Sequence, residues 1–145
     1  MKRSLFLLLF LVTTASYAQI NLKGYVIGKP LESNKHSSTK ISFGGQYGNL
    51  TAARNNEDVV YSLIFSPEKG GNPKLLSQAE IQKFIQSLNH YFKVKLTRKA
   101  DGKDGTFNGK ANDCIFIVNY THKQFQTGLH YYIEMLIYNP KLGTL

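Results

Sequence analysis

A helical hydrophobic period occurs in one segment of this chain, and it constrains the fold more than any other feature. Ile81, Phe84, Ile85, Leu88, Tyr91 and Phe92 line up on one face of a 3.6-residue repeat. The start is marked as well. Ser77 and Glu80 spell an S-x-x-E capping box, in which each side chain satisfies the other residue's backbone N–H, and Leu76 with Ile81 forms a hydrophobic staple. The opposite face (Gln82, Lys83, Gln86, Ser87, Asn89 and His90) is nearly uncharged and lacks the basic character of a helix that lies on a membrane. A helix with one apolar face must bury it against something, and the remaining apolar residues supply strands.

Ahead of the helix, Ile20 to Val26 reads as a first strand and Ile41 to Phe43 as a short second one that Gly44-Gly45 interrupts. Lys29 to Lys40 is a polar connection, and Gln46 to Asp58 fits either a long turn or a short helical stretch around Thr51 to Arg54. Val59 to Phe65 is β-branched and aromatic, apolar on both sides for part of its length, and therefore a central strand. Ser66 to Pro73 reads as a loop.

After the helix the period becomes two. Phe92, Val94 and Leu96 alternate with Lys93, Lys95 and Thr97, a strand with one solvated face. Ala100 to Asn112 is a glycine-rich polar loop with Asp-Gly and Asn-Gly turn signals, and Asp113 to Tyr120 is a strand. In Leu129 to Tyr138 the residues Leu129, Tyr131, Ile133, Met135 and Ile137 face one way, and His130, Tyr132, Glu134, Leu136 and Tyr138 the other. The expected fold is α+β: one amphipathic helix packed on a twisted, mainly antiparallel sheet, in the order β-β-β-α-β-β-β.

The amino terminus reads as a cleavable signal peptide. Lys2 and Arg3 precede the apolar run Leu5 to Val12, and Ser16 and Ala18 stand at the small-x-small positions of a cleavage site. Eight helical residues span about 12 Å against a hydrocarbon core of about 30 Å, so the run is too short for a transmembrane anchor. Cleavage after Ala18 leaves residues 19–145 as a single globular domain, secreted or periplasmic. Its only cysteine is Cys114, so it has no internal disulfide and must hold together by packing.

Without Lys2 and Arg3, 16 basic residues face 9 acidic ones, a net +7. Only Arg54 and Arg98 are arginine. Base and phosphate readers favour arginine for its bidentate fork, so an exported, lysine-rich chain points away from nucleic acid and towards acidic surfaces outside the cytoplasm.

No catalytic motif stands out. Cys114 alternates with Phe116 and Val118 on one strand face, which suits a buried thiol better than a nucleophile served by His122 or His130. His130 and Glu134 share a strand face but lie about 13 Å apart along it, too far to clasp one metal ion. Asp101 to Gly105 lacks the ligand spacing of a calcium loop, with Lys103 third and Thr106 sixth. No cofactor is expected. Asp113 and Glu134 are the one carboxylate pair that neighbouring strands could bring together for hydrolysis.

Two features lean towards binding. Lys93, Lys95, Arg98 and Lys99 form a basic strand, and Tyr132 and Tyr138 form a tyrosine strip on the face that also carries His130 and Glu134. The expectation is a non-catalytic binding module for a protein or an acidic glycan. An inhibitor or immunity-type protein acting on a secreted enzyme is the first alternative, on the strength of the small size and helix-on-sheet outline, and a small hydrolase is the second.

Overall fold

The structure, a computed structural model, describes residues 19–145; the expected signal peptide, residues 1–18, lies outside the described residues. A small hairpin, β1 (Asn21–Leu22) and β2 (Tyr25–Val26), precedes the main sheet. Then come β3 (Ser38–Phe43), β4 (Gln46–Arg54), β5 (Val60–Lys69), β6 (Asn72–Pro73), the helix α1 (Gln78–Phe92), β7 (Thr97–Asp101), β8 (Asp104–Ala111), β9 (Cys114–Phe125) and β10 (Gly128–Tyr138). The sheet order is β3-β4-β5-β10-β9-β8-β7, antiparallel at every pairing, with β6 hydrogen-bonded to the end of β5. The class is α+β, as the patterning implies, but the strands are more numerous than β-β-β-α-β-β-β.

The helix begins where its capping box places it. Ser77 Oγ accepts from the Glu80 N–H at 3.2 Å, and the Ser77 N–H donates to Glu80 Oε2 at 2.8 Å. That backbone bond, together with Lys74, holds the Glu80 carboxyl below its ordinary range against the opposing effect of desolvation. Lys74 also reaches Gln46 Oε1 at 2.7 Å, tying the start of β4 to the start of the helix. Leu76 is buried and exchanges two backbone hydrogen bonds, each 2.8 Å, with Tyr131, so the chain enters the helix from a fixed position beside β10.

Ile81, Phe84, Ile85, Leu88 and Phe92 are buried against one face of the sheet. Phe84 stacks on Phe65 of β5 with ring centroids 5.9 Å apart, and Phe92 meets Phe116 of β9 at 5.3 Å. Tyr91, which falls on the same helical face in the sequence, is half exposed and meets the cluster at its border, edge to face with Phe43 and Phe92 at 5.5 and 4.7 Å between ring centres.

Several expectations need correction. The segment Ile20 to Val26 is not one strand: Lys23 and Gly24, both at positive φ, fold it into the β1–β2 hairpin. Gly44-Gly45 does end the second strand, β3, and turns it into a hairpin, and most of the ambiguous stretch behind it is the nine-residue strand β4. β5 runs on to Lys69 through Pro67. The Pro67 carbonyl accepts from Lys74, so its missing N–H also points away from the β4 ladder and costs that ladder nothing.

The basic strand from Lys93 does not form as expected. Lys93 is the left-handed C-cap of the helix, at φ 54°, and Val94 and Leu96 enter the core without joining a ladder; pairing starts only at Thr97. Lys93 and Lys95 therefore share no strand face. The expected loop Ala100 to Asn112 is mostly the β7–β8 hairpin. Asp101 and Asp104 pair across a tight turn at Gly102 and Lys103, while Asn108-Gly109, expected as a turn, lies inside β8.

The glycines of β8 are there for close approach. A Cβ on Gly109 would stand 2.7 Å from the Lys95 carbonyl oxygen and 2.9 Å from both Val94 and Leu96. One on Gly105 would stand 2.6 Å from the Lys99 carbonyl oxygen and collide with the hydroxyl end of Tyr120. We expect Gly109→Ala to destabilise the chain by about 1–3 kcal/mol, because the connection from helix to sheet has to move off β8. Urea denaturation of the variant measures this; an unchanged midpoint would mean that residues 94–96 do not press on the strand.

Candidate functional site

The helix and the β1–β2 hairpin add their buried residues to one core, on one side of the sheet. The other side is open. Strand register arranges its side chains in rows that cross the sheet. One row is Lys40, Asn49 and Ser66 on one half of the sheet and Glu134, Asn119, Thr106 and Lys99 on the other, meeting just beyond the last β5–β10 pair, polar throughout and ending in lysine at both edges. The next is Ser38, Thr51, Ile64, Leu136, Ile117, Asn108 and Thr97, in which Ile64, Leu136 and Ile117 are adjacent and aliphatic. A third runs Ala53, Ser62, Tyr138, Ile115 and Lys110.

Ile64, Ile115, Ile117, Leu136 and Tyr138 are half-buried, whereas Ser62 in the third row is fully buried. Strand alternation produces this result. The same β9 and β10 that send Phe116, Val118, Met135 and Ile137 into the core must send Ile115, Ile117, Leu136 and Tyr138 outwards.

The expected binding residues fall in three places. Tyr132, Tyr138 and Lys99 lie on this open face, Lys99 in the polar row and Tyr138 in the third, with the Lys123 ammonium 5.9 Å from the centre of the Tyr132 ring. Three strand spacings, about 14 Å, separate Lys99 on β7 from β10. Lys95 is exposed just before β7, and Lys93 is exposed at the helix end, apart from the others. Arg98 alternates with Lys99 and points to the helix side, where its Nε donates to the Tyr120 hydroxyl at 2.8 Å. Among the described residues, none of Lys95, Lys99, Lys103 and Lys110 stands within ion-pair distance of a carboxylate.

The aliphatic centre of this face escapes a sequence reading that looks for polar or aromatic ligands. Its signal is the run Cys114 to Val118, apolar at every position. Such a run means a strand apolar on both faces, and only one face is taken by the core.

The catalytic candidates separate. Asp113 sits in the β8–β9 turn, bonded to Lys141 at 3.1 Å, whereas Glu134 is opposite Asn119, six residues further along β9. Six strand residues span about 20 Å, well beyond the roughly 5–10 Å that glycoside hydrolysis uses. The carboxylate pair proposed from the sequence does not form. His122 bonds to Asp104 at 2.6 Å, and its own backbone N–H, the leading cause, holds that carboxyl below the ordinary range. His130 lies edge-on to Phe125 at the far end of the β9–β10 hairpin. Among the described residues no three His, Cys, Asp or Glu side chains gather closely enough to hold a metal ion.

Cys114 is buried at the start of β9, in line with Phe116 and Val118. Burial, and secondarily the neighbouring Asp113 charge, push its thiol up to about 11. At neutral pH it is a protonated thiol with little nucleophilicity. In native protein at pH 8, iodoacetamide should leave Cys114 unmodified over times in which a urea-unfolded sample alkylates completely. Mass spectrometry reads the difference, and equal rates in the two samples would contradict the burial.

No protein-family model matches the chain, and no curated protein or solved structure matches it.

Proposed function

We propose that this chain is an exported, non-catalytic binding module that docks a protein partner on the open face of its sheet. The observation that carries the reading is the half-buried aliphatic row Ile64, Leu136 and Ile117, flanked by Tyr138 and Ile115 and bordered at one edge by Lys99 and Lys110, neither of which meets a carboxylate among the described residues. Contiguous apolar surface of this kind on a small domain marks an interaction site. Aliphatic side chains at the centre suit a protein surface better than a glycan, which stacks on aromatic rings. The lysine edge favours a partner with an acidic rim, through attraction that acts mainly on encounter rate and register. An inhibitor of a secreted enzyme would be a special case of this reading, with the enzyme as partner.

Export rests on the leader. Among the described residues the buried cluster begins at Ile20, just past the expected cut after Ala18. Edman sequencing of the chain recovered from outside the cytoplasm should begin at Gln19; an intact Met1 would remove export from the proposal.

For docking, the mature chain and two variants, Leu136→Asp with Ile117→Asp and Lys99→Glu with Lys110→Glu, are immobilised and exposed to proteins of the same compartment and to a panel of acidic polysaccharides. The expected result is a protein held by the wild type, lost by the first variant, and weakened about tenfold or more by the second at low salt. Equal retention by all three, or retention of polysaccharide and no protein, would overturn the reading.

A further inference from the structure

On the opposite side of the sheet, where the first two turns of α1 lean over β7 to β10, a crevice of about 160 Å³ opens between helix and strands. Phe107, Tyr120 and Tyr131 form its walls, with Tyr120 5.6 Å from Phe107 and 5.7 Å from Tyr131 between ring centres, and Ile81 reaches in from the helix. Gln78 and Gln82, one helical turn apart, stand on its rim. Among the described residues, Arg98 is the only charged one that lines it.

The arginine is held in place. Its Nε donates to the Tyr120 hydroxyl at 2.8 Å, and its guanidinium carbon lies 5.5 Å from the centre of that ring. Tyr120 can extend across β8 to meet it because Gly105, its partner in the ladder, has no side chain where the ring passes. A guanidinium has five N–H donors, and one is used here. Among the described residues, no carboxylate pairs with Arg98. The remaining fork is the arrangement that takes a carboxylate bidentately.

We propose that this crevice binds the C-terminal residue of a peptide, its free carboxylate on the Arg98 fork and its apolar side chain among Phe107, Tyr120 and Tyr131. The volume lies below the roughly 300–1,000 Å³ of pockets that enclose a whole drug-sized ligand, so it takes one side chain and not a complete molecule. The rings favour an apolar side chain. The side-chain amides of Gln78 and Gln82 offer both donors and acceptors at the rim, as the preceding peptide group of such a ligand requires. A free carboxylic acid on an apolar group shares the terminal chemistry but lacks that peptide group.

The test uses NMR titration of the isotope-labelled domain with short peptides ending in leucine or phenylalanine, each as free acid and as C-terminal amide, and with isocaproate as the small-acid arm. The expected result is saturable shifts at Arg98, Tyr120 and Gln82 with the free-acid peptides, weaker by about ten- to a hundredfold on amidation and in Arg98→Gln, the range for losing a charged hydrogen-bonding partner. Isocaproate should bind more weakly at the same residues. Lys99→Gln, one residue along but on the other face, should bind within about twofold of the wild type. Tyr120→Phe keeps the ring and frees the arginine, and should weaken binding while leaving the fold intact by its spectrum. Equal binding of acid and amide, tighter binding of isocaproate than of any peptide, or no shift in the crevice with any free-acid peptide would overturn the assignment.

Discussion

Four residue pairs between β5 and β10, from Phe65 with Met135 to Ser62 with Tyr138, join the two halves of the sheet. Everything else in the molecule is local to one half or depends on this seam. β3 to β5 form one meander and β7 to β10 another, each pairing only neighbours in sequence. The helix bridges them from above: Phe84 on Phe65 of the first half, Phe92 on Phe116 of the second. Without the seam the two meanders would each expose an edge strand of ten or more residues, and α1 would have no continuous floor to cover.

The seam also generates both surfaces discussed above. On the open side it sets Leu136 between Ile64 and Ile117 and so makes one aliphatic row out of strands from both halves. On the covered side it positions β10 so that Leu76 can bond to Tyr131 and start the helix over Tyr120 and Tyr131. The two surfaces have different chemistry for a structural reason. Alternation along β7 sends Lys99 to the open face and Arg98 to the helix face, so the flexible ammonium borders a broad apolar area and the planar guanidinium closes a narrow one.

What could be read from the sequence was whatever local residues determine. The capping box, the staple and the helical face need nothing beyond residues 76 to 92, and the alternation of Leu129 to Tyr138 needs only its own period. The failures share a cause that lies elsewhere in the chain. Gly105 and Gly109 look like turn residues, yet they are glycine because Tyr120 and the segment after the helix pass over them. Lys93 continues an alternating pattern by coincidence, since Val94 and Leu96 are buried without a ladder while Lys93 caps a helix. Lys99, Tyr132 and Tyr138 could be named as binding candidates, but that they share a face with Ile64 depends on strand order, which no residue type encodes. For the same reason the separation of Asp113 from Glu134 was invisible until register fixed it.

The seam joins residues some seventy positions apart in the chain, Phe65 and Met135 among them. Closing so long a loop carries an entropic cost that the local hairpins do not, which makes this the late event of folding. A chain emerging amino end first can form the β3–β5 meander and α1 early, but it cannot complete its sheet until Met135 to Tyr138 have followed. Until that moment β5 has an unsatisfied edge and the helix an unfilled underside. β10 thus acts as a latch, because its pairing with β5 is what turns two separate meanders into one sheet.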